Sequence, residues 1–368
     1  MAGSWAQSRA QERITALTAA GLDARDLRLQ ALEIIRGVVG FDAHGWLLTD
    51  PVTTVGASPL ADVPCLPELP ALIKAKYGTT VNRWTGLLQR RAPRVALLDA
   101  AVDGELARSR VWREVQSRYH VRDVASMVFA DQFGCWGFLD LWRMDAGGTF
   151  DSSDSEFLAS LVAPLTTALR DCQARTFVEP ATPHRDDLGP VALTLDDDLR
   201  ITSRTSASQR WLDILLPPVP DQRAVPASAY NVAAQLLAIE AGVDDHPAST
   251  RAHMADGFWL TLRAARLAPD EPEPAGAATI VVTIEEASAA ERLELFSRAF
   301  GLSVRESQLV GQLATGNDTR AMARQTSLSE HTVQDHLKSI FNKTGARDRV
   351  TVLARALGIR LDAERRTG

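Results

Sequence analysis

Apolar residues recur along the chain with two periods, about 3.6 residues where a helix is expected and about two where a strand is expected. Both periods occur in the first part of the sequence and predict a mixed α/β domain over 8–175. A helical pattern there begins at Glu12 and is interrupted at Gly21. Further along, the pattern predicts strands at 43–50 and 53–57, a proline-rich loop at 59–70, a hairpin at 126–143 that turns at 132–134, and a closing helix at 151–174.

A second mixed α/β domain is predicted over 189–286, after a polar, proline-containing linker at 176–188. Acidic residues favour turns, so the run Asp196–Asp198 is expected to separate the first two strands of this domain. Its other predicted elements are helices at 206–215 and 230–242, three strands within 249–287, and an acidic loop at 268–277.

The last part of the chain has helical periodicity throughout. It predicts a connector helix at 287–301, four helices within 302–358 and a flexible tail at 359–368. The connector has an apolar face formed by Leu293, Leu295, Phe296 and Phe300. This face is expected to pack either against a second copy of the chain or against the domains on either side.

Capping residues mark where the helices of 302–358 begin and end. Ser303 and Glu306 have the spacing of a capping box, in which each side chain accepts from a backbone N–H of the other. Gly316 is expected to end that first helix, because a residue after a helix often takes positive φ. Asp318 and Ser329 are the predicted N-caps of the second and third helices.

The third of these helices is predicted to have one apolar and one polar face. Val333, Leu337 and Ile340 repeat with helical spacing and are expected to pack on the first two helices. The opposite face holds Gln334, Asp335, Lys338 and Asn342. A supported helix with an exposed, partly basic face has the form that a DNA major groove admits.

Charge is distributed unevenly along the chain. The whole sequence has a formal charge of −6, but the residues from Arg298 onward contain twelve Lys/Arg and seven Asp/Glu, a balance of +5 that leaves −11 before them. A basic end segment behind an acidic body fits a protein whose last domain alone neutralises phosphates.

Several kinds of chemistry are not expected. The sequence contains no GxxxxGK[ST], HExxH or GxSxG motif, so we expect no enzyme activity and no cofactor. Cys65, Cys135 and Cys172 are too widely spaced for a CxxC pair, which favours buried free thiols over a metal site. With neither an apolar signal segment nor a membrane-length apolar run, a cytoplasmic protein without a membrane partner is expected.

The segment 302–358 resembles the LuxR-type helix-turn-helix family. The resemblance rests on the opening LSVRE, the stop at Gly316, the SLSEHTVQDHLKSIF helix and the NKTGARDR exit into a fourth helix. It implies that the third helix enters the major groove of double-stranded DNA. The base-facing positions implied are Gln334, Asp335 and Lys338, the phosphate-facing positions are Thr332, Lys343, Arg347 and Arg349, and Ser329 and Asn342 complete the candidate DNA-binding set.

Two positions depart from the family pattern. Gln334 stands where Lys is frequent, and Asp335 adds an acidic group beside it. Gln can bond bidentately to adenine and Asp can accept from cytosine N4, so weaker phosphate attraction and a different base preference are expected. Asp335 has an alternative role, in which it faces solvent or steers Arg347 or Arg349.

The first domain resembles GAF domains in its strand at 43–49, its hairpin and its closing helix, and the second resembles PAS domains in 191–205, 208–215 and 257–267. Both resemblances imply a curved sheet covered by helices, an arrangement that often holds a small ligand. Four aromatic residues either line such a ligand pocket or form the core: Trp46, Phe129, Trp136 and Trp142.

These features together predict a multidomain α+β protein with an all-α DNA-binding domain at its end. The expected function is sequence-specific transcription regulation, controlled by a small-molecule effector or a protein partner. A homodimer is expected because DNA half-sites commonly mirror protein two-fold symmetry, and RNA polymerase is a further candidate partner. The alternative is a module that docks on the transcription machinery without direct contact with DNA.

Overall fold

The computed structural model describes residues 2–90, 94–178, 191–208, 226–254, 258–267 and 279–359, with side chains from residue 5 onward. These residues separate by their contacts into two units. Unit 1 falls within Met1–Leu169, Asp186–Ala252 and Leu260–Glu285, and unit 2 within Arg170–Arg185, His253–Trp259 and Glu286–Gly368. Among the described helices, none is long and apolar enough to cross a membrane.

Unit 1 begins with two helices where the sequence predicts an interrupted one. The break follows from the backbone, since Gly21 has φ +68 and Asp23 accepts from the N–H groups of Arg25 and Asp26 to start the second helix. The helices of this part of the chain are α1 (Ala2–Ala19), α2 (Ala24–Arg36), α3 (Leu69–Tyr77), α4 (Trp84–Leu88), α5 (Leu98–Ala101), α6 (Arg110–Glu114) and α7 (Ser152–Arg175). The last six residues of α7, from Arg170 onward, lie in unit 2. Short 3-10 turns occur at Leu66–Glu68, Leu106–Arg108, Gln116–Tyr119 and Asp145–Gly147.

The first sheet is antiparallel and five-stranded, in the order β2-β1-β5-β4-β3. Its strands are β1 (Ala43–Thr49), β2 (Gly56–Asp62), β3 (Val95–Leu97), β4 (Val121–Asp131) and β5 (Gly134–Met144). The predicted strand at 43–50 and the predicted hairpin are confirmed, and Asp131 pairs with Gly134 across the turn.

The prediction of a strand at 53–57 and a loop at 59–70 was wrong. β2 runs from Gly56 to Asp62 and includes Pro59, which is tolerated because β2 is an edge strand with a register shift opposite Leu47 and Leu48. Two of the later prolines in this stretch, Pro67 and Pro70, lie in the first turns of the 3-10 helix and of α3, where the missing N–H has no helical partner to lose.

The second sheet has the same strand order as the first, β7-β6-β10-β9-β8. Its strands are β6 (Val191–Leu195), β7 (Ile201–Arg204), β8 (Ser249–His253), β9 (Trp259–Arg266) and β10 (Ile280–Glu286), and its helix is α8 (Ala227–Glu240). These elements and the turn at Asp196–Asp198, where Asp196 accepts from the N–H groups of Asp198 and Arg200, confirm the predicted pattern. The predicted loop at 268–277 lies outside the described residues. So do the predicted linker and the predicted helix at 206–215, except for their first three residues.

Within unit 1, a buried ion pair connects the loop after β1 with strand β8. Asp50 and Arg251 have side chains only 0% and 5% exposed, and two guanidinium nitrogens of Arg251 donate to the Asp50 carboxylate at 2.6 and 2.8 Å. The Arg251 backbone N–H donates to the same carboxylate at 3.0 Å, and so do the N–H groups of Val52 and Thr53. The two buried charges are both hydrogen-bonded only when the loop after β1 lies against β8. The pair therefore fixes the relative position of these two segments, which are distant in sequence.

Unit 2 contains the connector helix and the four helices predicted after it. Its helices are α9 (Ala289–Ala299), α10 (Val304–Ala314), α11 (Thr319–Thr326), α12 (Glu330–Thr344) and α13 (Arg349–Leu357). Leu295 and Phe296 of α9 are fully buried within the chain's own fold. Of the two expected alternatives for the connector's apolar face, these two residues therefore follow the second, packing on neighbouring parts of the same chain. Nine residues of the predicted tail, 360–368, lie outside the described part of the chain.

Replacing Asp50 by Ala would leave the Arg251 guanidinium buried without its carboxylate. We expect the variant to lose roughly 3–5 kcal/mol of unfolding free energy, because an unpaired buried charge is costly. Urea unfolding of full-length protein measures this loss. The control is Asp198→Ala, which breaks the exposed pair with Lys74 in the same unit and should cost at most about 1 kcal/mol. Equal losses in the two variants would contradict a special role for the buried pair.

Candidate nucleic-acid interface

The helix starts of this domain confirm the predicted caps. Ser303 and Glu306 form a complete capping box at the start of α10, and Gly316 follows this helix with φ +80. Asp318 accepts from the N–H of Ala321 at 2.7 Å and caps α11. Ser329 accepts from the N–H of Thr332 at 3.0 Å and caps α12. Each helix therefore begins where a local side chain satisfies an otherwise unpaired backbone donor.

The turn between α11 and α12 is tight. Ser327 adopts φ +55, a conformation unusual for a residue with a side chain, and the N–H of Leu328 donates to the carbonyl of Ala323 at 3.0 Å. This turn fixes the angle at which α12 leaves α11. The two helices therefore form a helix-turn-helix pair.

The face of α12 that packs on the other helices is apolar. Val333, Leu337 and Ile340 are buried, as their spacing predicts, and Thr344 is buried one turn further with its hydroxyl donating to the Ile340 carbonyl. Gly345 then ends the helix with φ +63. A helix supported along its whole length keeps its other face fixed in orientation.

The opposite face of α12 is exposed, and every base-facing candidate lies on it. Gln334, Asp335, Lys338 and Asn342 are all exposed. Asp335 contacts Lys338 at 3.4 Å and lies 3.5 Å from the ring of His331, and both are surface contacts with little energetic weight. These side chains are therefore arranged along one accessible surface.

Glu306 links the start of α10 to the middle of α12, a contact that sequence reasoning missed. Its carboxylate accepts from the Ser303 N–H at 2.6 Å, the Ser339 hydroxyl at 2.6 Å and the Lys343 ammonium at 2.7 Å. Burial opposes the charged form, but these hydrogen bonds outweigh it and lower the pKa of Glu306 to about 2. The sequence reveals the cap but not the tertiary partners.

The candidate phosphate-facing residues fall into two groups. The hydroxyls of Thr332 and Ser329 lie 2.8 Å apart at the start of α12, and Arg347 is exposed just before α13. Two others already have protein partners, since Lys343 bonds to Glu306 and Arg349 donates to the Thr319 hydroxyl at 2.5 Å. The Lys343 side chain is still 38% exposed, so its charge remains accessible.

The four aromatic residues proposed for a ligand pocket lie in the core of the first sheet. Trp46 and Phe129 stack with ring centroids 5.2 Å apart, and Trp136 and Trp142 are each 2% exposed. Within the described residues, the indole nitrogens of Trp46 and Trp142 have no hydrogen-bond acceptor. A cavity of about 10 Å³ elsewhere in unit 1, beside Trp84 and Phe138, has room for about one water molecule.

Metal-binding residue types cluster at one place in the described part of unit 1. Asp244, Asp245 and His246 bring possible ligand atoms together, but the Oδ2 atom of Asp244 already accepts from Arg83 at 2.5 Å. An arginine and a metal ion compete for the same carboxylate, so this cluster has the form of a salt-bridge network. The three cysteines are free and buried, as predicted.

Comparison with known proteins identifies the last domain. Residues 301–356 match the family model GerE, described as bacterial regulatory proteins of the luxR family. This segment is therefore a luxR-family DNA-binding helix-turn-helix domain, which confirms the resemblance seen at 302–358. No curated protein matches the chain.

Two solved structures are similar to the chain at low identity. SdiA from Escherichia coli shares 13% identity, over 96% of this chain and 98% of that one, with a TM-score of 0.31. The VqmA dimer from Vibrio cholerae, described among LuxR-type receptors, shares 16% identity over 46% of this chain and 83% of that one, with a TM-score of 0.20. Neither TM-score establishes a common overall fold.

The charge of Glu306 should be visible in the pH dependence of stability. We expect Glu306→Gln to lose roughly 1–3 kcal/mol at pH 7, because Lys343 loses a charged acceptor. Since the folded pKa is depressed to about 2 from a reference value of 4.5, the stabilisation is complete above about pH 4.5 and disappears as the pH falls towards 2.

Urea unfolding from pH 7 to pH 2.5 measures this difference between variant and parent. The matched control is Glu330→Gln, an exposed glutamate in the first turn of α12 whose replacement should have little effect at any pH. If the variant's loss of unfolding free energy relative to the parent stayed constant between pH 7 and 2.5, the Glu306 carboxylate would not be held charged by these contacts.

Proposed function

We propose that the chain is a one-component transcription regulator that binds specific sites in double-stranded DNA through α12. The observation that carries the proposal is the exposed polar face of α12, opposite a continuous buried face within a luxR-family domain. A helix presented in this way enters a major groove, where base edges carry a distinctive pattern of donors and acceptors.

Individual side chains take different roles in this proposal. Gln334, Asp335 and Lys338 contact base edges, since they follow one another along the exposed face near the start of α12. Thr332 and Arg347 contact phosphates at the two ends of the helix. The remaining candidates support the phosphate contacts: Ser329, Asn342, Lys343 and Arg349.

Lys343 has a double role in the proposal. It holds α12 to α10 through Glu306, and its exposed part adds positive potential on the side that faces DNA. Arg349 is similar, because its bond to Thr319 joins the start of α13 to the start of α11. Positioning and phosphate attraction are thus combined in the same residues.

The two α/β parts, proposed as a GAF-like domain at 8–175 and a PAS-like domain at 189–286, would sense a small-molecule effector or a protein partner. Two five-stranded sheets with the same strand order support this proposal. The indole nitrogen of Trp46, unpartnered within the described residues, supports an effector that accepts a hydrogen bond beside Trp46 and Phe129, whereas the register of β1 and β5 places Trp142 on the other face of the sheet. Such a regulator works in the cytoplasm, with RNA polymerase as the machinery it affects.

A homodimer on DNA is part of the proposal, because two-fold DNA sites call for two copies of α12. With Leu295 and Phe296 buried in the chain itself, only part of the connector's apolar face, including the half-buried Leu293 and Phe300, remains for a second copy. Light scattering of the free protein and footprinting on a bound site test this. A monomer in both experiments would exclude the dimer.

Lys338→Ala should weaken binding to a specific duplex by roughly 1–3 kcal/mol while leaving binding to unrelated DNA almost unchanged, because a base contact contributes only at the correct site. Mobility shifts on a selected duplex and on a scrambled duplex measure the two affinities. Lys74→Ala removes the same charge from unit 1 and serves as the control. If Lys338→Ala weakens both duplexes equally, its contact is to phosphate and the base assignment fails.

Arg347→Ala should weaken binding to every duplex alike and reduce the slope of log affinity against log salt by about one, because one released counterion is lost. Titrations between low and moderate salt give this slope, and Arg25→Ala, an exposed arginine of α2, is the control. Binding by the parent protein that is insensitive to salt would instead favour a docking module without direct DNA contact.

A further inference from the structure

The end of β8 and the start of β9 place two nitrogen-bearing rings side by side in unit 2. The N–H of Met254 donates to the carbonyl of Phe258 at 2.7 Å, which sets His253 opposite Trp259 in the next pair of the hairpin. Directly opposite residues face the same side of a sheet, and these two rings have centroids 5.2 Å apart. The Trp259 carbonyl accepts from the N–H of Ala287 at 2.8 Å, so the start of β9 is attached to the chain just before α9.

The guanidinium of Arg292, on α9, lies against the same group of rings. Phe177 stacks on Trp259 with centroids 5.4 Å apart, and the Arg292 Cζ lies 5.6 Å from the centroid of Phe177. The backbone at Gly358, just after α13, also packs directly on the Arg292 guanidinium. A Cβ atom added at Gly358 would lie only 2.9 Å from it. Arg292 is 8% exposed.

These three residues bury nitrogen atoms that have no hydrogen-bond partner within the described residues: His253 Nε2, Trp259 Nε1 and Arg292 Nε. The indole and guanidinium nitrogens can only donate. Leaving a buried donor unsatisfied costs about 1–3 kcal/mol, and the His253 Nε2 beside these two donors also donates in one of its two neutral tautomers. Among the described residues, this cluster lacks a hydrogen-bond acceptor for the indole and guanidinium nitrogens.

Charge points to the same kind of missing group. Burial lowers the pKa of the Arg292 guanidinium, and among the described residues the acidic group that opposes this shift is Glu286, an exposed residue at the end of β10. Burial and then the charge of Arg292 lower the pKa of His253 to about 4, so its ring is neutral at pH 7. A buried positive charge, clustered with an indole donor and with a neutral imidazole that can also donate, is an environment that stabilises an anion.

We propose that His253, Trp259 and Arg292 form a binding site for a small oxyanion, a phosphate or carboxylate group that accepts hydrogen bonds from all three. The site would join the end of β8, the start of β9, α9 and the end of α13. An anion there would therefore fix the connector helix against the DNA-binding domain. This site lies outside the proposed DNA contacts and does not depend on them.

Thermal unfolding without DNA tests the site. Sodium phosphate and sodium acetate are titrated against sodium chloride at equal ionic strength. We expect at least one of the two oxyanions to raise the Tm of wild-type protein saturably above chloride. Trp259→Phe keeps a stacking ring but removes one donor, and Arg292→Met removes the charge, so both should weaken the effect at least tenfold in concentration.

Two controls separate this site from other places where anions bind. Trp5→Phe changes an exposed tryptophan, and Lys338→Ala removes a charge from the proposed DNA surface, and neither should alter the effect. A response to phosphate alone identifies a phosphate site, and a response to acetate as well shows that carboxylates are accepted. No oxyanion effect in wild type, or an undiminished effect in Trp259→Phe, would overturn the proposal.

Titration of His253 followed by NMR provides a second measurement, with His253→Asn identifying its resonance. A bound anion offsets the charge of Arg292, so phosphate or acetate should raise the pKa of His253 from about 4 towards its ordinary value. An unchanged pKa at saturating anion would contradict the proposal. Because neither experiment contains DNA, its outcome is independent of whether α12 enters a groove.

Discussion

The candidate DNA-binding surface depends on one buried carboxylate. Glu306 caps α10 from within its first turn and accepts hydrogen bonds from Ser339 and Lys343 of α12. Without it, the helix that carries the proposed base contacts would be held to α10 mainly by non-directional apolar packing. Because a hydrogen-bonded carboxylate prescribes distance and direction, it fixes α12 more sharply than apolar contacts alone.

Unit 1 also contains a buried carboxylate that is fully hydrogen-bonded. Asp50 and Arg251 bring together segments separated by 201 positions, and each oxygen of the carboxylate accepts more than one hydrogen bond. A buried pair of this kind adds little net stability over apolar packing, but it penalises every arrangement that separates the charges. Both units therefore use one satisfied carboxylate to select a single arrangement of elements that hydrophobic burial alone would leave less defined.

Local chemistry made much of the helical domain predictable from sequence. Ser303, Asp318 and Ser329 cap helices through bonds to residues three positions away, so their spacing alone reveals them. The buried and exposed faces of α12 likewise follow from periodicity. The partners of Glu306 could not be predicted in this way, because Ser339 and Lys343 lie 33 and 37 positions away.

The α/β part shows where pattern reasoning fails. Pro59 indicated a loop, yet it lies in an edge strand beside an irregular register, a context that the sequence does not display. The common strand order of the two sheets was also invisible, since strand order arises from pairing between distant segments. For Trp46 and Phe129, stacking in the core agrees with either role left open for them, as core residues or as the wall of a pocket.

The most direct test of the account is whether α12 chooses the bases that the protein binds. Selection of bound duplexes from a random pool, followed by sequencing, gives the base preference of wild-type protein, Gln334→Ala, and the control Gln308→Ala on α10. The account predicts that Gln334→Ala loses or changes its preference at one base pair of each half-site, while the control selects the wild-type sequence. Identical preferences for all three proteins would contradict it.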